Sequence, residues 1–143
     1  MGHLTPFMDE AKGEPFLKTH AEKMGEAIEA VAAYREAAGP GVDLCIEIHR
    51  RLSPAESVVL ARGIEQFHPF FYEDPILPDN FDAMGLVASK ISLPIATGER
   101  LHTIHEFEML LKRGAVQYVR PDVCMAGGFT HCKKIAALAE AHY

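Results

Sequence analysis

Four carboxylates recur at a near-constant interval along the chain, each at the carboxyl end of a short apolar run. They are Glu47 in LCIEIH, Glu73 in FFYEDP, Glu99 in PIATGER and Asp122 in QYVRPD, with intervals of 26, 26 and 23 residues. Acids that converge without a counter-charge repel one another strongly. Because Mg²⁺ prefers carboxylate oxygens and keeps positions open for water and substrate, the pattern predicts a magnesium site.

A magnesium ion next to a histidine suits acid–base chemistry on a carboxylic acid. His49 lies two residues beyond Glu47, so a strand end would place it beside whatever Glu47 binds. Bound Mg²⁺ stabilises the enediolate that forms when a base removes the proton next to a carboxylate. Histidine can donate or accept that proton near neutral pH. The alternative is that each glutamate is a solvated strand-end residue and that His49 simply ends its strand.

Three further residues near these acids have open interpretations. Asp122 could be a fourth ligand, a hydrogen-bond partner of a ligand, or a cap for the turn at Gly127-Gly128. Arg100 could hold a ligand of the site or pair with a neighbouring acid. His102 could contact substrate or face solvent. We take Arg100 and His102 as candidate substrate-binding residues.

The interval between the acids is the length of one strand, one helix and two loops, which indicates successive βα units. The apolar pattern predicts strands over 42–48, 69–72, 93–97 and 116–119, and helices over 18–38, 53–66, 79–90, 103–113 and from 128 to the chain end. Ser53 and Thr103 are predicted to cap their helices in capping boxes, and Asp79 is predicted to cap the third helix. In a closed barrel of parallel strands, the strand ends converge on one face. We therefore predict an α/β fold, a partial (β/α)8 TIM-type barrel of about four parallel βα units.

The domain prediction is a leading loop over residues 1–17, followed by an incomplete barrel domain over 18–143. A barrel of this type needs eight strands in ~250 residues, whereas four are visible. Four strands alone would expose sheet edges. We therefore expect a chain truncated at both ends, and self-association as a homo-oligomer.

Composition excludes several classes of function. The chain has 48% apolar residues and a net charge of −6, which argues against a nucleic-acid partner. It has no apolar run of ~18 residues and no signal region, so we expect no membrane partner and a cytoplasmic location. The odd number of cysteines argues against disulfides. Cys45 and Cys124 are expected to be small buried hydrophobic residues in strands.

Several longer spans, in the same order and at similar separations, resemble the barrel domain of the enolase superfamily. They are DLCIEIHRRL, FYEDPILPDN, PIATGERLHT, VQYVRPDVCMAGG and KIAALAEAH, and they cover roughly residues 40–143. Within the superfamily they are most similar to the mandelate racemase group and its acid-sugar dehydratases of galactonate-dehydratase type.

The resemblance implies a role for each predicted residue. Glu47, Glu73 and Glu99 would bind Mg²⁺, and His49 would be the general acid for the departing hydroxyl. Asp122 would hydrogen-bond a histidine base from the next strand, which is expected soon after the end of this chain. The family usually has Asp at the first ligand position, so Glu47 is one methylene longer.

The implied activity is Mg²⁺-dependent dehydration of a sugar acid, an aldonate, to a 2-keto-3-deoxy acid. The partner would be that small-molecule sugar acid. Two alternatives are a racemase or epimerase of the same superfamily, and a catalytically inactive barrel fragment.

Overall fold

The computed structural model of the chain describes residues 18–142. In chain order the elements are α1 (His20–Ala38), β1 (Cys45–Glu47), α2 (Pro54–Ile64), β2 (Phe71–Glu73), α3 (Phe81–Ala88), β3 (Ile95–Thr97), α4 (Ile104–Lys112), β4 (Tyr118–Val119) and α5 (Phe129–Glu140). A 3₁₀ turn, Glu65–Phe67, continues α2. This alternation confirms the predicted βα units. The leading loop predicted for residues 1–17 lies outside the described residues.

The four strands form one parallel sheet in the order β1-β2-β3-β4, so each strand pairs with its neighbour in sequence. The assigned strands are shorter than predicted, but hydrogen bonds extend the pairing at both ends. Phe70 N–H donates to the Leu44 carbonyl at 2.8 Å, and Ile48 N–H donates to the Glu73 carbonyl at 3.0 Å. Sequential parallel strands joined by helices are the arrangement of a barrel wall.

One face of the sheet is covered by the helices. Ile46 and Ile48 alternate with Glu47 along β1, and each is only 4% exposed. They pack in an apolar cluster that also contains Met24 of α1 and Leu60 of α2. This confirms that the isoleucines face the helices. Burial of such side chains, more than the intrinsic preference of three-residue strands, holds the sheet against its helices.

A second cluster covers the other half of the sheet. Ile95 of β3 packs there with Met84, Phe107, Leu110 and Ile135, which come from α3, α4 and α5. The two clusters therefore place α1 and α2 behind β1 and β2, and the later helices behind β3. Among the described residues, no helix has the length and hydropathy that crossing a bilayer requires.

Side chains cap the N-termini of the first four helices by hydrogen bonds to the backbone. Ser53 with Glu56 and Thr103 with Glu106 form the predicted capping boxes, and Thr19 with Glu22 forms a third that the sequence pattern had not indicated. The prediction for α3 is wrong by one residue. Its cap is Asn80, whose Oδ1 accepts a hydrogen bond from Ala83 N–H at 2.9 Å, and not Asp79. Both residue types cap well, so packing of Met84 and Val87 into the core decides the start.

The opposite face of the sheet is open among the described residues. Cys45 on β1 is exposed there, which contradicts the expected burial, because the side that would cover it is not formed by the described helices. Tyr118 of β4 packs against Phe70 and Phe71 with ring centroids 5.1 and 5.7 Å away. Cys124 is also exposed, and it lies in the turn after β4 rather than in a strand, since Asp122 starts that turn.

Candidate metal centre

Carboxylates from three consecutive strand ends meet at one edge of the sheet. Glu47 ends β1, Asp74 directly follows β2, and Glu99 follows β3. One oxygen from each lies within 4.8 Å of the others. This acidic cluster (Glu47, Asp74 and Glu99) contains two of the three predicted ligands, because parallel strands in sequential order bring their carboxyl ends to the same edge.

The loop after β3 depends on a glycine. Gly98 has φ +128°, and a Cβ at this position would lie 2.7 Å from Cε1 of Phe107 in α4. Phe107 is fully buried, so the helix behind the strand presses against the backbone that carries Glu99. Only glycine lets the chain turn here and pass so close to α4.

Asp74 is held rigidly in the acidic cluster. It is 2% exposed and has a left-handed φ of 43°. Its Oδ1 accepts a hydrogen bond from Thr97 Oγ1, and its Oδ2 lies 3.1 Å from Nη1 of Arg50. Both oxygens therefore have donors within the protein.

Arg50 is the cation of the cluster. Its Nη1 donates to Glu99 Oε1 as well as to Asp74, so one guanidinium nitrogen bridges acids from two strand ends. Its backbone N–H donates to the Asp74 carbonyl at 2.8 Å. Among the described residues, this arginine makes the acid pairing that the sequence had suggested for Arg100.

Glu73 lies outside the group of converging oxygens but next to it. It pairs with Glu47 in the register of β1 and β2, which puts both side chains on the same face. Its Oε2 lies 3.2 Å from Nη1 of Arg120, whose guanidinium also stacks over Phe71 at 5.4 Å from the ring centroid. Glu73 therefore shares the edge with the cluster while its carboxylate is paired with a half-exposed arginine.

The charges of these acids interact. Burial raises the pKa of Glu47 to about 7; the His49 N–H opposes the rise, while the charges of Glu73, Asp74 and Glu99 add to it. Burial also raises the pKa of Glu73, against the pull of Arg120, and the pKa of Asp74, against its hydrogen bond from Thr97. Carboxylates whose pKa values are raised by burial and by one another favour a cation among them.

His49 adjoins the cluster through its backbone. Its N–H donates a short hydrogen bond to Glu47 Oε1, and the residue has a left-handed φ of 58°. The side chain is half-buried. His49 also lines a cleft of about 270 Å³ with Arg50, Arg51 and Leu77. The predicted general acid is thus hydrogen-bonded through its backbone to one acid of the cluster and lines a cleft together with Arg50.

The remaining predicted residues lie apart from the converging oxygens. Asp122 Oδ1 accepts hydrogen bonds from the N–H groups of Cys124 and Met125 at 2.8 and 2.9 Å, so it caps the turn before α5. Its catalytic role stays a prediction. Arg100 and His102 are exposed, and His102 N–H donates to Glu106 in the capping box of α4. Substrate contact by either residue is likewise still a prediction.

Sequence reasoning missed Asp74 and Arg50. Asp74 was visible in the EDP motif, but the 26-residue interval pointed to its neighbour. Arg50 gave no signal, because its side chain reaches the acids from a turn in which residues 49 and 50 both have left-handed backbone conformations. Such a pair of non-glycine residues cannot be inferred from residue type.

The residues present fit a divalent cation of the magnesium type. The converging donors are all carboxylate oxygens, at least two of them are partly buried, and their mutual repulsion is relieved only in part by Arg50. Hard oxygen ligands with room for further ligands match Mg²⁺ better than zinc, which takes nitrogen and sulfur donors.

Comparisons with known proteins agree with this geometry. The sequence matches the Enolase C-terminal domain-like family over residues 8–143. A D-galactonate dehydratase of Verminephrobacter eiseniae (strain EF01-2) is 39% identical over 116 residues, which is 81% of this chain and 30% of the relative. Another, of Xanthomonas euvesicatoria pv. vesicatoria (strain 85-10), is 38% identical over 85% of this chain and 32% of the relative. The chain spans less than a third of the length of these curated relatives.

Solved structures give the same relationship. A mandelate racemase/muconate lactonizing enzyme-like protein from Roseovarius sp. TM1035 has a TM-score of 0.83 and 37% identity, covering 85% of this chain and 31% of its own. A racemase from Streptomyces coelicolor A3(2) with bound magnesium has a TM-score of 0.81 and 30% identity, covering 83% of this chain and 33% of its own. This chain therefore belongs to the Enolase C-terminal domain-like family, and its four βα units are part of a TIM-type barrel.

Proposed function

We propose that this chain is part of a Mg²⁺-dependent acid-sugar dehydratase that removes water from an aldonate to give a 2-keto-3-deoxy acid. One observation carries the proposal: carboxylates converge at consecutive strand ends, beside a histidine, in a chain whose relatives are D-galactonate dehydratases. When bound, Mg²⁺ would supply the positive charge that stabilises an enediolate.

We assign the ligand roles to Glu47, Glu73 and Glu99. Glu47 and Glu99 already belong to the acidic cluster. Glu73 faces the same side as Glu47, and its carboxylate needs only to leave the half-exposed Arg120. Asp74 is the less suitable third ligand, because its side chain is only 3% exposed and Thr97 Oγ1 donates a hydrogen bond to one of its oxygens. Its role is to position the strand end.

His49 is the general acid in this proposal. In the elimination, a base takes the proton from the carbon next to the substrate carboxylate, and the hydroxyl on the following carbon leaves as water. His49 supplies the proton that the leaving hydroxyl needs. Its place two residues beyond Glu47, in the lining of the cleft, supports this role. The resemblance assigns the base to a histidine held by Asp122.

The substrate is a free sugar acid, and we expect a cytoplasmic enzyme that binds neither nucleic acid nor membrane. Self-association of the chain is part of the same proposal. Its test is light scattering at increasing protein concentration, where an unchanged monomer mass would contradict it.

The decisive experiment uses the complete enzyme with D-galactonate and related aldonates in D₂O with Mg²⁺. We expect formation of a 2-keto-3-deoxy acid, detected by NMR. In His49→Asn, we expect dehydration to fall by about 10²–10⁴-fold, while exchange of the alpha proton for deuterium continues. Asparagine keeps similar size and polarity but cannot supply the proton.

The outcomes separate the alternatives. Exchange with inversion and without loss of water would favour a racemase or epimerase; one structural neighbour is a racemase. Equal loss of exchange and dehydration in His49→Asn would contradict the general-acid role. A matched control is His105→Asn, since His105 is exposed on α4 and is not one of the converging residues.

A further inference from the structure

Arg50 occupies a backbone conformation that arginine rarely adopts. Its φ is 64°, and His49 before it has φ 58°. The left-handed region is disfavoured for residues with a Cβ, and it is tolerated when surrounding contacts compensate. Two consecutive residues of this kind begin two positions after Glu47 and form a strained turn. The Arg50 side chain at this turn reaches into the acidic cluster.

The contacts of Arg50 are those of a counter-cation. Its backbone N–H is anchored on the Asp74 carbonyl at 2.8 Å, and its Nη1 bridges Asp74 and Glu99. The guanidinium side chain is 16% exposed, and the Asp74 side chain is 3% exposed. A partly desolvated charge among carboxylates interacts more strongly than a surface ion pair would.

A divalent cation bound to Glu99 would compete with this arginine. Glu99 cannot direct the same oxygen to Mg²⁺ and to Arg50 Nη1, and a guanidinium within the ligand shell would repel the ion. We propose that Arg50 is a built-in counter-cation of the metal centre, which holds the acids together without metal and which an incoming divalent ion must displace from Glu99.

The cleft next to the cluster gives the displaced side chain a place to go. Arg50 lines this cleft of about 270 Å³ together with His49, Arg51 and Leu77. A change of side-chain rotamer can therefore move the guanidinium out of the ligand shell while the backbone anchor to Asp74 remains. The strained turn would then hold Arg50 ready to return when the ion leaves.

The test measures Mg²⁺ affinity directly and does not use turnover. Isothermal titration calorimetry with MgCl₂ would compare the wild-type chain with Arg50→Asn, since asparagine is neutral and tolerates left-handed backbone. We expect Arg50→Asn to bind Mg²⁺ about tenfold more tightly, because the ion no longer displaces a cation. Arg50→Gly, which removes the backbone strain as well, should show the same gain if Arg50→Asn does not fold.

The control is Arg62→Gln. This substitution also removes one positive charge, but from the surface of α2, where Arg62 donates to the Lys90 carbonyl. The Mg²⁺ affinity of Arg62→Gln should equal that of the wild type. Unchanged or weaker binding in both Arg50 variants, with normal binding in the wild type, would overturn the counter-cation role alone. This inference rests on the proposed metal site, so failure of the wild type and all variants to bind Mg²⁺ would overturn both.

Discussion

Two adjacent acids at the end of β2 have different environments. Asp74 is buried, and its two carboxylate oxygens accept hydrogen bonds, one from Thr97 and the other from Arg50. Glu73 is turned to the open face of the sheet, where Arg120 is its partner. Asp74 lies just beyond β2 and has a left-handed φ of 43°, so the backbone turn separates the two carboxylates even though they are neighbours in sequence.

Because the two acids have different partners, substituting each by its amide should change Mg²⁺ binding to a different extent. We expect Glu73→Gln to remove detectable Mg²⁺ binding, because it neutralises a carboxylate that we propose as a ligand. Asp74→Asn should weaken binding only about tenfold, as expected for a residue that orients ligands. Calorimetric titration with MgCl₂ measures both. If the order of the two effects were reversed, Asp74 and not Glu73 would be the third ligand.

At the level of elements, the site depends on how each helix starts and how closely it approaches the strand before it. The capping boxes at Ser53 and Thr103 begin α2 and α4 a few residues after Glu47 and Glu99. Phe107 in α4 then contacts the backbone at Gly98. The position of Glu99 is therefore determined by the packing of the helix that follows it.

We expect Gly98→Ala to destabilise the chain by about 1–3 kcal/mol, because the new methyl group would overlap the Phe107 ring. The measurement is chemical denaturation. Gly114→Ala is the control, since Gly114 also has a positive φ of 59° but nothing lies near its missing Cβ. An equal loss in both variants would show that backbone strain, and not the contact with Phe107, makes Gly98 necessary.

The capping box of α2 predicts a pH dependence. Hydrogen bonds from the Ser53 side chain and backbone hold the pKa of Glu56 below its usual value of 4.5. A carboxylate with a lowered pKa in the folded state contributes stability above the unfolded pKa, and this contribution is lost as the pH falls through the folded value. The stability advantage of the wild type over Glu56→Gln should therefore be present at pH 7 and shrink below pH 4.5.

Denaturation curves of both proteins at pH 7 and pH 3.5 would measure this change. Gln can still accept the hydrogen bonds of a capping box, so the comparison isolates the charge. A difference in stability that stays constant across the two pH values would contradict the assignment.

At the level of the whole molecule, the helices bury one face of the sheet, and the acids lie at one edge of it. Cys45 and Tyr118 are exposed on the open face. The acidic edge is therefore assembled from secondary-structure units that are far apart in sequence but adjacent in the sheet. An ion bound there would contact acids from three βα units, so it should stabilise the packing of these units against one another.

We expect Mg²⁺ to stabilise the folded chain, because the ion binds carboxylates that converge only when the sheet is formed. At a concentration tenfold above the dissociation constant, the gain is about 1.4 kcal/mol. Thermal unfolding with MgCl₂ would show a higher midpoint, and a chelator would reverse it. NaCl at equal ionic strength is the control, and an equal effect of NaCl would indicate screening and not binding.

Much of the fold could be predicted from the sequence, because local chemistry repeats along it. The recurring acids, the apolar runs before them and the capping residues after them specify four βα units, and the sheet order confirms that reading. Helix ends were predicted within a few residues, except that Asn80 replaces Asp79 as the cap of α3. Hydrogen bonds between residues close in sequence explain this success.

The tertiary structure alone decided which carboxylates meet and which cation lies between them. Periodicity put Glu47 and Glu99 at one edge, but it could not tell Glu73 from Asp74, since that choice depends on side-chain partners from other strands. Arg50 enters the cluster from a backbone conformation that is unfavourable for its residue type. Sequence periodicity determines where strand ends lie, whereas contacts between residues distant in sequence determine which of their side chains converge.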